Sequence, residues 1–153
     1  MQTTEEIAYR LRLAEGFLAE AQQDMSLGRW RSCVDNGQLS VENAAKVALA
    51  TLGPVGRTHN PAGLLRQGLA DGRFSQAAKE DVADLAKSAE LLGHDVHMET
   101  DYGSETGWRT PWELFDEPEA RQSLEIAEQS VLLAKRIVQS ILDSPFDKDS
   151  ASA

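Results

Sequence analysis

Residues 37–49 read GQLSVENAAKVAL, and residues 56–60 read GRTHN after a glycine-proline break. The first segment has the small and apolar residues of a helix that packs closely against other helices. Glu42 and Lys46 lie four positions apart in acid-first order, so they can pair along the helix surface. His59 follows the break. These residues predict a packed helix that ends at a short loop carrying a histidine.

The composition is that of one globular domain. The chain has 153 residues, 41% of them hydrophobic and 26% charged, which is enough for a single core. No apolar run approaches the ~20 residues of a membrane helix, and the first residues lack the pattern of a signal peptide. The single cysteine, Cys33, agrees with a reducing compartment. We therefore expect a cytoplasmic protein without membrane association, with one domain over residues 1–143 and a disordered tail over 144–153.

The net charge of −10 is unevenly distributed along the chain. Residues 94–117 contain one arginine and seven acidic residues, whereas residues 32–66 contain three basic residues and two acidic ones. A chain this acidic repels phosphate backbones at long range, which argues against broad non-specific DNA binding. A local cationic pocket fits best in the segment with the positive balance.

Apolar residues repeat at helical spacing in four long segments, and the alternation typical of β-strands is scarce. The spacing predicts helices over residues 4–27, 29–52, 76–92 and 118–142, with a short helix from Pro61 to near Gly72. Asn60, Ser75 and Asp116 are the predicted N-caps. The predicted fold class is all-α, a four-helix up-and-down bundle with one additional short helix.

Residues 94–117 show no clear periodicity and are predicted to form a long connection between helices. Four aromatic residues in this segment are expected to anchor it on the core, because side chains of this size favour burial. They are Tyr102, Trp108, Trp112 and Phe115. Arg109 is the only base among the acids and is expected to pair with one of them, or to reach back to Asp35 or Glu42.

Three motifs in this order resemble the HEPN domain family, small helical proteins found beside bacterial and archaeal nucleotidyltransferases and as ribonuclease toxins. The motifs are the helix over 37–49, the loop over 56–60, and Arg109-Thr110-Pro111, which stands where many members carry Arg-Tyr-Pro. The resemblance covers about residues 5–142. It implies a homodimer that pairs through helix faces, with a cleft between the subunits. The small-residue side of the second helix is one candidate for the dimer contact.

Family members that cleave RNA carry an arginine, a polar residue and then a histidine about four to six positions after the arginine. Here His59 lies two residues after Arg57, and the arginine nearest before His94 is Arg73, 21 residues back. Cleavage needs a base and a cation that converge on one scissile bond. The usual ribonuclease motif is therefore absent, and no catalytic residue is assigned. A rearranged site built from His59 and Arg109 is the remaining route to an enzyme.

Five residues are the candidates for ligand binding: Glu42, Lys46, Arg57, His59 and Arg109. An imidazole can act as an acid, a base or a phosphate donor near neutral pH, and arginine and lysine supply cations for a phosphate. The structural alternative for the histidine is a hydrogen bond that orders the turn. His94 and His97 have acidic neighbours, but the helix before them is expected to end at Gly93, so no metal or cofactor is predicted.

The function hypothesis is a non-catalytic HEPN-like accessory protein. It is either the partner of a minimal nucleotidyltransferase or a binder of a nucleotide or RNA segment in the dimer cleft. Two alternatives stay open at this stage. One is a toxin-like RNA endonuclease with an altered site, and the other is a dimeric interaction scaffold without a small ligand.

Overall fold

The computed structural model describes residues 2–143, which form seven helical segments and, within that range, no β-strand. The helices are α1 (Gln2–Ser26), α2 (Trp30–Ala50), α3 (Pro61–Ala70), α4 (Lys79–Leu91), α5 (His94–Tyr102), α6 (Pro111–Leu114) and α7 (Glu117–Leu142). The all-α prediction is confirmed. The tail predicted to be disordered, residues 144–153, lies outside the described residues.

The four long helices α1, α2, α4 and α7 pack together, and α2 contacts the other three. A three-residue turn joins α1 to α2 through Gly28 at a φ of +70°, a left-handed conformation that glycine adopts without steric cost. So short a connection makes the two helices antiparallel neighbours. The largest fully buried side chains include Leu65, Leu85, Leu133 and Ile137, and each contributes roughly 1.5–3 kcal/mol of hydrophobic stabilisation.

The small residues of α2 pack inside the chain. A Cβ atom added at Gly37 would lie 3.3 Å from the carbonyl oxygen of Ser123 on α7. Ser40 Oγ donates a hydrogen bond of 2.7 Å to the carbonyl oxygen of Ala14 on α1. The prediction that this side of the helix forms a dimer contact is therefore wrong, because α1 and α7 already cover it.

The helix starts were predicted with mixed success. Asn60 is the N-cap of α3, and its Oδ1 accepts a hydrogen bond of 3.2 Å from the Gly63 N–H. Asp116 is the N-cap of α7. Both predictions are confirmed. Ser75 does not cap α4, because residues 76–78 form a turn and α4 begins at Lys79.

The segment 94–117 is not a plain connection. It contains α5 and α6, and α5 was missed because it buries only Thr100 and so has no apolar stripe. Phe115 is buried as expected. Tyr102, Trp108 and Trp112 remain 62%, 88% and 71% exposed, so the prediction that they anchor on the core is wrong.

Candidate functional site

One side of α2 carries polar side chains into a cavity of about 280 Å³. Gln38 and Glu42 supply the wall on α2, and His59 and His94 approach from the loop before α3 and from the start of α5. We call this space the imidazole cavity. Its remaining lining residues are Asn60, Pro61, Ala89, Glu90, Leu92, Gly93, Asp95 and Val96.

Glu42 contacts one cation and one imidazole. Its Oε2 lies 3.4 Å from Lys46 Nζ, and its Oε1 lies 3.8 Å from His59 Nδ1. The side chains of Glu42 and Lys46 are 12% and 11% exposed, so water screens their attraction only in part. The rings of His59 and His94 have centroids 5.2 Å apart at an interplanar angle of 30°. The loop histidine therefore lies between a carboxylate and a second imidazole.

A second recess of about 210 Å³ also borders His59. Three basic side chains from α1, α2 and the following loop line it, namely Arg10, Lys46 and Arg57. We call it the cationic recess, and Val55, Gly56, Thr58 and His59 complete its lining. Glu6 offsets part of the charge, since its Oε1 lies 3.9 Å from Arg10 Nε and accepts a hydrogen bond of 3.0 Å from the Val55 N–H.

Each compartment has a buried polar atom without a hydrogen-bond partner. Gln38 Oε1 is such an acceptor at the imidazole cavity, and the residue is only 2% exposed. Arg10 Nε is such a donor at the cationic recess. A buried group without a partner costs about 1–3 kcal/mol, and most buried polar groups in folded proteins are satisfied. The folded chain leaves these two atoms without a hydrogen bond at the borders of the two compartments.

Arg66 neutralises one of the acids at the rim of the imidazole cavity. Its Nε and Nη2 donate hydrogen bonds of 2.7 and 3.4 Å to the two carboxylate oxygens of Glu90. These hydrogen bonds lower the pKa of the Glu90 carboxyl and raise the pKa of the Arg66 guanidinium. Both side chains are about half exposed, so this ion pair adds little to the stability of the fold.

His97 extends the row of imidazoles away from the cavity. Its ring centroid lies 6.1 Å from that of His94. Its Nδ1 lies 3.3 Å from Asp35 Oδ1, and its Nε2 lies 3.9 Å from Asp101 Oδ2. His94 and His97 share α5 after all, contrary to the expectation that no helix holds them. Within residues 2–143, no group of three or more His, Cys, Asp or Glu side chains is arranged to hold a metal ion.

The structure brings four of the five predicted binding residues together. Glu42 and His59 line the imidazole cavity, and Lys46, Arg57 and His59 line the cationic recess. Arg109 lies elsewhere, in the turn between α5 and α6, where its Nη2 donates a hydrogen bond of 2.7 Å to the carbonyl oxygen of Glu113. It forms no ion pair with an acid of the described chain, contrary to the sequence-based expectation.

Sequence analysis missed Gln38, Arg10 and the contact of His94 with His59. Arg10 lies on α1 and His94 lies 35 residues after His59, so no local spacing connects them to the loop. Gln38 could have been predicted from its spacing, because it stands four residues before Glu42 and therefore lies on the same face of the helix.

Cys33 takes no part in either compartment. It is fully buried, and its Sγ lies 3.6 Å from the carbonyl oxygen of Ala120 as a donor. Burial, with a smaller contribution from the nearby Asp24 carboxylate, raises the pKa of the thiol from 9.0 to about 11. The thiol therefore stays protonated near neutral pH and packs as a small apolar side chain.

Comparison with known families confirms the resemblance that the sequence motifs suggested. Residues 7–141 match the HEPN domain family. The chain belongs to this family. The matched range includes both compartments of the site and all of the helices except the ends of α1 and α7.

A solved structure has the same fold as this HEPN chain. It is the crystal structure of TT1696 from Thermus thermophilus, with a TM-score of 0.62 and 20% sequence identity over 86% of this chain and 97% of the other. At this identity the similarity establishes the fold alone. No curated protein matches the sequence. Among residues 2–143, no helix is both long and apolar enough to cross a membrane.

Proposed function

We propose that this HEPN protein is a non-catalytic accessory protein that binds a nucleotide, free or at the end of an RNA. The observation that carries the proposal is the pair of adjoining compartments at His59, one lined by acceptors and imidazoles and the other by cations. Each compartment is smaller than the ~300 Å³ at which small-molecule sites begin. A ligand of nucleotide size therefore has to span both of them.

The imidazole cavity suits the base of such a ligand. The Glu42 carboxylate is a hydrogen-bond acceptor at its wall, and Gln38 carries a buried acceptor without a partner, Oε1, beside it. Exocyclic amino groups and ring N–H groups of bases are donors that match such acceptors. Flat imidazoles offer a face on which a base stacks, as aromatic side chains do in many nucleic-acid sites. His59 and His94 supply two such rings at the cavity.

The cationic recess suits the phosphate. Glu42 lies near Lys46, and Glu6 lies near Arg10, so these two cations are partly neutralised within the chain. Arg57 is exposed and has no ion-pair partner among residues 2–143, which leaves it as the uncompensated cation of the recess. A guanidinium binds phosphate oxygens through two parallel hydrogen bonds, which favours this group as the anchor.

Both compartments belong to a single chain, so the ligand does not need a cleft between two subunits. The homodimer and the partnership with a minimal nucleotidyltransferase remain part of the proposal. A nucleotide held next to such an enzyme is of the same chemical class as the enzyme's substrate. Sedimentation of the purified protein measures the dimer, and co-sedimentation with a nucleotidyltransferase encoded beside it measures the partnership.

The test compares ligands with and without a phosphate. Calorimetric titration measures the affinity of wild-type protein and of Arg57→Ala for the four nucleoside monophosphates and for the matching nucleosides. We expect the substitution to weaken binding of the best monophosphate about tenfold, which corresponds to ~1.4 kcal/mol. We expect no change for its nucleoside, because the lost contact is to the phosphate. Arg12→Ala, which removes an exposed arginine of α1 outside both compartments, is the matched control.

The base contact is tested with Gln38→Leu, which replaces the unpartnered amide by an apolar side chain of similar size. The fold should tolerate this change, because no buried polar atom is left behind. Affinity for the nucleoside and for the monophosphate should fall together. Absence of binding by every nucleotide at millimolar concentration would reject the proposal and favour a scaffold without a small ligand.

One observation favours an RNA endonuclease as the second candidate function. His59 shares the cationic recess with three basic side chains, and a base beside cations is what RNA cleavage requires. The route through His59 and Arg109 has no support, because Arg109 lines neither compartment. Incubation of wild-type protein and His59→Ala with end-labelled RNA separates the two functions. Cleavage that disappears in the variant would show an enzyme.

A further inference from the structure

The segment from α5 to α6 exposes apolar side chains on the surface of the protein. Met98 and Tyr102 lie one helical turn apart on α5, and Trp108 and Trp112 follow in the turn and in α6. We call these four residues the aromatic surface. Exposed tryptophans are unusual on a monomeric protein, and clusters of exposed apolar side chains mark interaction sites.

The chain holds Trp108 in a fixed position. An isolated antiparallel bridge closes the turn, with Ser104 N–H donating to Arg109 O at 2.8 Å and Arg109 N–H donating to Ser104 O at 3.0 Å. Trp108 has a φ of +53°, and it is the only residue other than glycine with a positive φ in the range 2–143. A bulky side chain at this φ is strained, and such strain persists where the surrounding structure enforces it.

The segment that carries the aromatic surface is acidic, whereas Arg29 and Arg31 border Trp112 from the start of α2. Asp95, Glu99, Glu105 and Glu113 are exposed, and none of them has a cationic partner within 4.0 Å among the described residues. One basic residue, Arg109, stands against the seven acids of segment 94–117. The surface thus combines exposed aromatic rings with an excess of negative charge.

One ring of this surface already binds a guanidinium. The Arg31 side chain lies over the Trp112 ring, with its Cζ atom 5.7 Å from the ring centroid. Its Nη1 also donates a hydrogen bond of 2.9 Å to the carbonyl oxygen of Thr100, which fixes the arginine in place. Arginine over tryptophan is the most favourable cation–π pair. Trp108 has no such partner in the described chain, where the only cation–π contacts involve Trp112 and Tyr9.

We propose that the aromatic surface is a docking site for a basic protein partner that carries arginines next to apolar side chains. Charge decides between occupants. A second copy related by a two-fold axis would place the same acidic surface against itself, and like charges in contact oppose association. An RNA is disfavoured for the same reason, since its phosphates would meet a segment with an excess of acidic side chains. A basic partner gains from both the charges and the rings.

The test uses a fluorescein-labelled decapeptide of alternating arginine and leucine, and the same peptide with glutamate in place of arginine. Fluorescence anisotropy measures binding to the full-length protein. We expect the basic peptide to bind and the acidic peptide not to bind. Trp108→Asn should weaken binding about tenfold, as for a central aromatic contact, and asparagine tolerates the left-handed φ so the turn stays folded. Trp112→Ala should weaken binding to a smaller extent, because Arg31 already covers one face of that ring.

Matched controls lie on another face of the molecule. Leu132→Ala removes an exposed apolar side chain of α7, and Glu128→Gln removes an exposed acid of α7. Neither should change the affinity, whereas Glu99→Gln combined with Glu105→Gln should lower it and reduce its salt dependence. Equal losses in Leu132→Ala and Trp108→Asn would overturn the proposal, as would equal binding of the two peptides.

Two further measurements identify a wrong occupant. Sedimentation of wild-type protein and Trp108→Asn shows whether the surface joins two copies of the chain. Anisotropy with a labelled ten-nucleotide RNA shows whether the surface binds nucleic acid. If Trp108→Asn dissociates a dimer, the occupant of the surface is a second copy of the chain. If the substitution abolishes RNA binding, the occupant is RNA. Either result would overturn the proposal of a basic protein partner. Nucleotide binding by Arg57→Ala tests the proposed nucleotide site separately, because Arg57 lies in the loop between α2 and α3 and Trp108 lies in the turn between α5 and α6.

Discussion

The site on α2 and the segment 94–117 depart from the usual distribution of side chains in opposite directions. Along α2, Gln38, Glu42 and Lys46 are polar groups that the bundle partly or fully buries. In the segment, Trp108 and Trp112 are large apolar groups that the bundle leaves in solvent. One region buries polar atoms, and the other exposes aromatic rings to solvent.

Neither arrangement is explained by folding stability. A buried polar atom without a partner costs about 1–3 kcal/mol, and an exposed large apolar side chain forfeits roughly 1.5–3 kcal/mol that burial would supply. A sequence selected for stability alone would avoid both. Both departures therefore support the two proposals made above, a polar site for a small ligand and an apolar, acidic surface for a protein partner.

Cys33 is expected to show how well the packing of α2 excludes solvent from the core. Because the folded pKa of about 11 lies above the ordinary 9.0, the folded state holds the thiol proton more strongly than the unfolded state. At about pH 8 the thiolate should be about a hundredfold scarcer in the folded protein. The matching stability contribution is present below pH 9.0 and is lost as the pH rises towards 11.

Alkylation with iodoacetamide, followed by mass spectrometry, checks this prediction. The native protein at about pH 8 should react at least a hundredfold more slowly than the same protein in urea, because burial also blocks access. Rapid labelling of the native protein would mean that the packing around α2 opens readily. The polar groups of α2 would then not be stably buried, contrary to the difference drawn between α2 and segment 94–117.

The next effect compares an acid in each region. Glu42→Ala leaves Lys46 as a mostly buried charge without its partner, and we expect a loss of about 2 kcal/mol in the free energy of unfolding. Glu99→Ala removes an exposed acid of α5, and its effect should stay within about 0.5 kcal/mol. Urea denaturation followed by circular dichroism measures both. Equal losses would show that the acids of α2 and of the segment play the same structural role.

The sequence predicted those parts of the fold that local chemistry determines. Apolar spacing revealed the four long helices, and Asn60-Pro61 marked the start of α3 because a cap and a proline at the first position have a fixed geometry. Glu42 and Lys46 were predicted to pair from their four-residue spacing alone, and their charged atoms lie 3.4 Å apart.

The parts that were not predicted depend on the tertiary packing or on absent contacts. Arg10 reaches the cationic recess only through the packing of α1 on α2, so the sequence near His59 contains no trace of it. Helix α5 has no apolar stripe to detect, because it lies on the surface and buries a single threonine. The tryptophans were expected in the core because burial is the ordinary outcome for their size. Their exposure follows from the turn that presents them.

The last prediction asks whether Trp108 contributes to the stability of the fold. Trp108→Asn removes a strained side chain that is mostly exposed and contributes little burial. We expect the free energy of unfolding to stay constant or to rise by about 0.5 kcal/mol, because asparagine adopts a left-handed φ more readily than tryptophan does. Thermal and urea unfolding of this variant beside wild type measure the change. A loss above about 1 kcal/mol would show that Trp108 stabilises the fold. In that case the exposure of Trp108 would no longer indicate a binding role. A gain in stability together with a loss of peptide binding would instead show that Trp108 serves binding and destabilises the fold.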